Sequence, residues 1–298
     1  MYDIIGKRKI WYTLSFIIIG VGIAAVIAGG LHWGIDFTGG SLIRISFPEN
    51  RPSASSVVES LASIDLGSVQ AQPLGDTEMT LRVKEINQET YLSVLAALRS
   101  SYGQVDEQSF ESIGPTIGQE LRSKSVEAII LVLVFILGYI TFAFRKAGSR
   151  LVKSWVYGTG AIVALLHDLL VTVGMYAVLG YFLNVEIDAL FITALLTVLG
   201  FSIHDTIVVY DRIRENIKRF PDRPFPDNVN ISINQTFVRS LNTSLTTLLV
   251  LVALYLFGGE TIQYFILTLI IGIVAGTYSS IYIASPLLVT WYNFRHRT

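Results

Sequence analysis

His167 and Asp168 stand near the middle of an apolar run at 156–182. His204 and Asp205 stand within a second run at 189–210, with Asp211 just after it, and Arg239 opens a third at 240–257. A charged group near a bilayer centre costs at least about 2.5–3.5 kcal/mol, so each of these residues needs a reason to be there. Asp205 is the strongest candidate for chemistry. It follows the apolar stretch 195–203 and precedes 206–210, which places it one to two turns from one end of its helix. A carboxylate moved between a dry surrounding and one beside a cation changes its hold on a proton. That is the physical requirement for coupling to a proton gradient. Arg239 is the natural cation for it if the two helices run antiparallel.

Each residue also has a plain packing explanation. Asp205 can hold two helices together by hydrogen bonds alone, and Arg239 can lift its head toward the lipid headgroups. His167 and Asp168 are neighbours, about 100° apart around a helix, so they cannot both face one partner; a buried polar network is the reading preferred for them. Asp211 pairs at helical spacing with Arg214 and reads as a helix-end anchor. His204 either tunes Asp205 or fills space. A carboxylate with nearby hydroxyls suits H⁺ or Na⁺ equally.

The elements that carry these residues are membrane spans. Of 298 residues, 52% are hydrophobic and 15% charged, against about a quarter charged in soluble domains. Six runs reach the roughly 20 apolar residues a spanning helix needs: 10–31, 126–144, 156–182, 189–210, 240–257 and 262–291. The first is too long for a signal-peptide core and has no small-residue cleavage pattern, so it reads as an uncleaved anchor. Lys7, Arg8 and Lys9, then Arg145, Lys146, Arg150 and Lys153, then Arg212, Arg214, Lys218, Arg219 and Arg223, and finally Arg295 and Arg297 all fall on one side. The opposite short loops, 183–188 and 258–261, hold no Lys or Arg. The positive-inside rule predicts both termini in the cytoplasm of a multi-pass protein of the cell membrane. In span six, Gly272 and Gly276 form a GxxxG pair that permits close helix approach.

The segment 32–124 separates 1–31, the N-terminus and first span, from the bundle 125–298 and is expected outside the cell. Alternation at 41–47, helical spacing at 53–64, strands at 68–72 and 79–83 around the Gly75–Asp76 turn, a helix at 88–99 and a weaker strand at 105–113 give the order β-α-β-β-α-β. The expectation is a ferredoxin-like α+β domain inserted into an all-α six-helix membrane bundle. Gly34, Gly39 and Gly40 lead into it and read as a hinge or tight turn. With no Cys, disulfides, thiol nucleophiles and Cys-ligated zinc are excluded. No metal or nucleic-acid site is expected, nor any cofactor beyond the coupling ion, and no hydrolase constellation can be argued. A binding or lever domain fits better than an enzyme.

The blocks GIDFTGG at 34–40, IGPTIGQEL at 113–121, HD at 167–168, GFSIHDTIVVYDRIREN at 200–216 and LFGGETIQYF at 256–265 together resemble the SecD/SecF family of Sec protein export, SecF type, in the resistance-nodulation-division superfamily. The resemblance covers essentially the whole chain. It implies a machine driven by the proton motive force that promotes movement and release of unfolded polypeptide at the outer side of the membrane. It further implies a heterodimer with a SecD-like subunit, docked on the SecYEG channel. It maps a proton-conducting role onto Asp205 and its cationic partner onto Arg239, and places a third ionisable group in the SecD-like subunit. The family commonly has Asn where this chain has His204, and His changes charge near neutral pH, which leaves the pH dependence open. The alternatives are half of a small-molecule exporter of the same superfamily and a passive translocon-stabilising scaffold.

Overall fold

The structure is a computed structural model and describes residues 1–48, 50–145 and 152–296. Lys146, Arg150 and Arg297, which contribute to the expected topology, lie outside the described residues. The chain divides into two compact units, Trp33–Val126 and the remainder.

The first unit is a four-stranded sheet with two helices. In chain order it runs β1 (Gly40–Ser46), α2 (Ala54–Ser60), β2 (Gln70–Leu74), β3 (Glu78–Val83), α3 (Gln88–Tyr102) and β4 (Asp106–Ile113), following α1 (Arg8–Ile27). The sheet order is β2-β3-β1-β4 and every pairing is antiparallel. That is the ferredoxin-like arrangement expected from the element order. Register follows from burial. Ile43 faces Leu81 and Ile45 faces Met79 across β1 and β3, and all four are fully buried against Val57, Leu61, Val94 and Leu98 of the helices. A slip of one residue would turn that row to solvent. Ser53 and Asn87 cap the helices by accepting from Ser56 N and Thr90 N, the usual role of such residues. Pro73 lies on the edge strand β2, where its missing N–H costs no ladder bond.

The second unit holds the membrane helices. Six helices among the described residues are long and apolar enough to cross a bilayer. They are α1, α4 (Pro115–Ala143), α5 (Ser154–Leu183), α6 (Ala189–Arg219), α7 (Phe225–Phe257), and a last one made of α8 (Gln263–Ser279), a π-turn (Ser280–Ala284) and α9 (Ser285–Arg295). Three differ from the apolar runs. Helix α4 begins at Pro115, eleven residues before the run, because proline suits a first helical position. Helices α6 and α7 have 31 and 33 residues, about 46 and 50 Å at 1.5 Å per residue, against about 30 Å of hydrocarbon. Arg239 therefore does not open its helix. It lies well inside α7, whose first turns are polar and pack on the polar end of α6.

That overhang is tied by side chains. Asn216 Nδ2 donates to Ser232 Oγ (2.8 Å) and Gln235 Oε1 (2.9 Å), and Arg212 Nε donates to Gln235 Oε1 (2.6 Å). Asp211 pairs with Arg214 at 2.9 Å, as its spacing predicts. The chain start is strapped to α7: Ile4 N and Ile5 N donate to Asn230 Oδ1, and Tyr2 N to Asn234 Oδ1. Ile4 and Ile5 are buried in the core with Phe225, Val229 and Ile233.

Candidate functional site in the helix bundle

Two polar clusters sit among α1, α5, α6, α7 and α8. They form where small residues let helices approach. A Cβ on Gly276 would come within 2.7 Å of Ser202 Cβ, and one on Gly272 would strike the Val198 side chain. The GxxxG pair therefore brings α8 onto α6 as its spacing predicts. A Cβ on Gly22 of α1 would lie 2.6 Å from Gly174 Cα of α5. The sequence reading singled out neither of those glycines.

The first cluster centres on Asp168, which has no solvent exposure. Its Oδ1 contacts His167 Nδ1 at 3.0 Å, and its Oδ2 accepts from Ser202 Oγ (2.5 Å) and Ser279 Oγ (2.8 Å). His167 faces the other way, with Nε2 3.0 Å from Ser15 Oγ of α1. The two residues thus face different neighbours, as their 100° separation requires, and still bond to each other. Below Asp168, Thr206 Oγ1 and Ser280 Oγ lie 2.8 Å apart, and Ser280 Oγ donates to Ser202 O.

The π-turn positions Ser279 and Ser280. Pro286 has no N–H, so the helix before it cannot keep regular bonding, and a π-turn absorbs the mismatch. Carbonyls of the turn take side-chain donors: Tyr210 OH bonds Ala284 O (3.1 Å) and Ser285 Oγ bonds Ser280 O (3.1 Å). The sequence reading missed the turn and the serines. Pro286 within the last span was the available signal; a Ser or Thr in an apolar helix is no signal, since it usually bonds its own backbone.

The second cluster centres on Asp205 of α6, which is 4% exposed. Its neighbours on α7 are Ser240 and Ser244, with Arg239 within electrostatic reach. Asp205 Oδ2 and Ser240 Oγ are both buried, and neither has a hydrogen-bond partner among the described residues. Ser244 Oγ is engaged instead with Thr277 Oγ1 of α8 at 2.5 Å. No ion pair joins Asp205 to Arg239, whose side chain is exposed, as is that of His204. The structure thus brings Asp205 to the polar start of the fifth apolar run and leaves its cation at a distance. A groove of about 440 Å³ between α7 and α8 includes Ser244, Thr277 and Tyr278 in its lining.

The glycines leading into the domain are constrained. Gly39 and Gly40 have φ of 72° and 127°, conformations glycine tolerates best. A Cβ on Gly39 would lie 2.7 Å from Pro115 Cα. Gly34 instead has ordinary extended backbone before the single helical turn Ile35–Thr38.

The model of the SecD/SecF C-terminal region of protein export membrane proteins matches residues 93–294, and the SecD/SecF GG motif matches residues 25–47. A protein translocase subunit SecF from Thermobaculum terrenum is 47% identical, covering 98% of this chain and 95% of its own. The chain belongs to the SecD/SecF family. A second SecF, from Anaerolinea thermophila, is 37% identical over 98% of this chain and 94% of its own. The crystal structure of SecDF from Thermus thermophilus, titled a translocon-associated membrane protein, superposes with a TM-score of 0.84 at 34% identity. It matches 98% of this chain, which spans only 39% of that longer one. The resemblance carried by the motifs and the expected fold class therefore both hold, and the chain is an integral membrane protein of SecF type. Its relatives are named for translocation, a transport role.

Proposed function

We propose that this chain is the SecF-type half of a proton-driven machine that promotes export of unfolded polypeptide through a SecYEG channel, with a SecD-like subunit as the other half. Asp205 binds the coupling ion, H⁺, and Arg239 is its counter-charge. The observation that carries this reading is the buried carboxyl of Asp205 set against the Ser240 and Ser244 hydroxyls, with Asp205 Oδ2 and Ser240 Oγ left without a well-formed hydrogen bond among the described residues. A buried polar atom left without a hydrogen bond is costly and marks a place where something binds or moves. Protonation turns the Asp205 carboxyl from an acceptor into a donor, so Ser240 can change from donor to acceptor as the proton comes and goes.

The outer surface supports a missing half. His204 of α6 and Arg239 and Asn242 of α7 are exposed on membrane helices. Their side chains make no hydrogen bond among the described residues. Threonines on the same faces, such as Thr197, Thr243 and Thr246, bond their own backbone, so these three carry the cost. Polar side chains in a membrane protein face protein or water rather than lipid. A SecD-like subunit covering this face accounts for them.

One charge crossing about 100 mV releases ~2.3 kcal/mol, enough to bias a two-state motion about fifty-fold. That is less than the ~5–15 kcal/mol that holds a folded domain, so the machine works by repeated small strokes on unfolded chain. Gly39 and Gly40 form the domain base, and the bend lies toward Gly34. Both termini lie in the cytoplasm and the sheet domain lies outside.

The deciding experiment is export into membrane vesicles under an imposed proton gradient with Asp205→Asn. Asn keeps size and hydrogen bonding but carries no titratable proton. Loss of the gradient-dependent part, with the complex still assembled, is expected. Undiminished stimulation would leave a passive scaffold as the better reading.

A further inference from the structure

The hydrogen bonds around His167 fix how many protons the first cluster holds. Tyr278 OH lies 2.9 Å from Trp11 O, a carbonyl that can only accept, so the single phenolic proton is used there. Toward Ser15 Oγ, 3.2 Å away, Tyr278 must therefore accept. That takes the single proton of Ser15 and leaves Ser15 Oγ an acceptor for His167 Nε2 at 3.0 Å. His167 Nε2 then carries a proton. On the far side of the ring, the 3.0 Å contact between Nδ1 and Asp168 Oδ1 needs one more proton between the two atoms. Asp168 Oδ2 is occupied by the protons of Ser202 and Ser279. The pair therefore holds one proton more than a carboxylate beside a neutral imidazole, and its net charge is zero. Whether the bridging proton sits on nitrogen or oxygen leaves the count unchanged, because the proton belongs to the pair.

We propose that His167 and Asp168 form a second proton-binding site of the bundle, separate from Asp205, whose occupancy is read out by the Ser15–Tyr278 contact between α1 and α8. When Nε2 gives its proton to a water molecule, forming hydronium, the nitrogen lone pair becomes an acceptor. Ser15 then turns its hydroxyl to Nε2, and Tyr278 loses its donor. The buried pair is left with one negative charge, a state that a low-dielectric interior disfavours. Helix α1 stays with α5 because Gly22 and Gly174 lock them together. The contact that changes is therefore the one from α1 to α8. The His167 ring is 6% exposed and stacks on Tyr278 with centroids 5.8 Å apart. Around the pair, α8 contributes Tyr278, and the π-turn contributes Tyr282, whose ring packs on Tyr278 at 5.1 Å. Helix α1 presents only Ser15. Helix α6 presents Ser202, and its titratable groups Asp205, buried one turn further on, and His204, exposed, follow it.

The test is nitrogen NMR of the full chain in lipid bilayers, labelled at its four histidines, with His167→Asn used to assign the His167 signal. Nε2 is expected to carry a proton at neutral pH and to lose it on raising the pH while the protein stays folded. The hydroxyl-bearing carbon of Tyr278 should shift in step, and that coupled shift should vanish in Ser15→Ala. In Asp168→Asn the amide can donate to Nδ1, so Nε2 should keep its proton throughout. Asp205→Asn should leave the His167 titration in place, which separates this proposal from the export mechanism. An Nε2 without a proton at neutral pH, one that never titrates, or a titration unchanged in Asp168→Asn would overturn it.

Discussion

Asp168 has two serine donors on one oxygen, and they are not equivalent. Ser202 Oγ gives its proton wholly to Asp168 at 2.5 Å, whereas Ser279 Oγ also lies 3.1 Å from Gly276 O. Removing one donor from a buried charged group costs about 1–3 kcal/mol. Ser202→Ala should therefore lower the thermal midpoint in detergent more than Ser279→Ala. The double variant should lose more than the sum, since each serine partly covers for the other. Equal single effects that add simply would mean that the two donors are equivalent and independent, against the unequal sharing described above. Asp168, His167 and Asp205 stood out in the sequence because charge is rare in apolar helices. Ser15, Ser202, Ser279 and Tyr278 did not, because a hydroxyl in a span carries no positional information until helices are packed. Arg239 was assigned to a helix start because the apolar run begins there, and hydropathy cannot see a helix that continues as a polar one.

Glycine contacts decide how the spans meet, and they give a test with its own control. A methyl on Gly22 would lie 2.6 Å from the Gly174 backbone, whereas one on Gly20 meets nothing within 4 Å. Backbone cannot turn away as a side chain can, so Gly22→Ala must push α1 off α5. The expected result is a drop in thermal midpoint for Gly22→Ala, about 1–3 kcal/mol as for other overpacked sites, and none for Gly20→Ala. Because the chain lacks Cys, a cysteine pair placed across α1 and α5 can report the separation by its cross-linking yield. Of the glycine contacts that join spans, GxxxG at Gly272 and Gly276 was readable from spacing within one helix. Gly22 and Gly174 belong to two helices, and nothing in either segment shows that they meet. The sheet of the inserted domain was more legible, since period-2 burial and turn residues are local properties of the chain.

The polar face of α6 and α7 bears on how the chain assembles. His204, Arg239 and Asn242 are exposed on membrane helices, and their side chains, unlike those of the threonines beside them, make no hydrogen bond among the described residues. If lipid is their only neighbour, replacing them with leucine should be neutral or stabilising, and association with any partner should be unaffected. If a SecD-like subunit covers them, His204→Leu and Asn242→Leu should cut recovery of that subunit from native membranes, while the isolated chain stays as stable in detergent or becomes more so. The opposite signs separate the two cases: a merely damaged fold would lose stability and partner together. Arg239→Leu should reduce partner recovery as well, and in addition should reduce gradient-stimulated export under conditions where the remaining complex is assayed at equal amount. The solved SecDF chain is longer, and this chain spans 39% of it. A bundle whose buried carboxylate, Asp205, lies one residue from an exposed polar face fits the half-machine proposed above. On that proposal a SecD-like partner would complete the environment of Asp205 as well as shield its flank. Loss of gradient response without loss of stability in His204→Leu would locate that completion at α6.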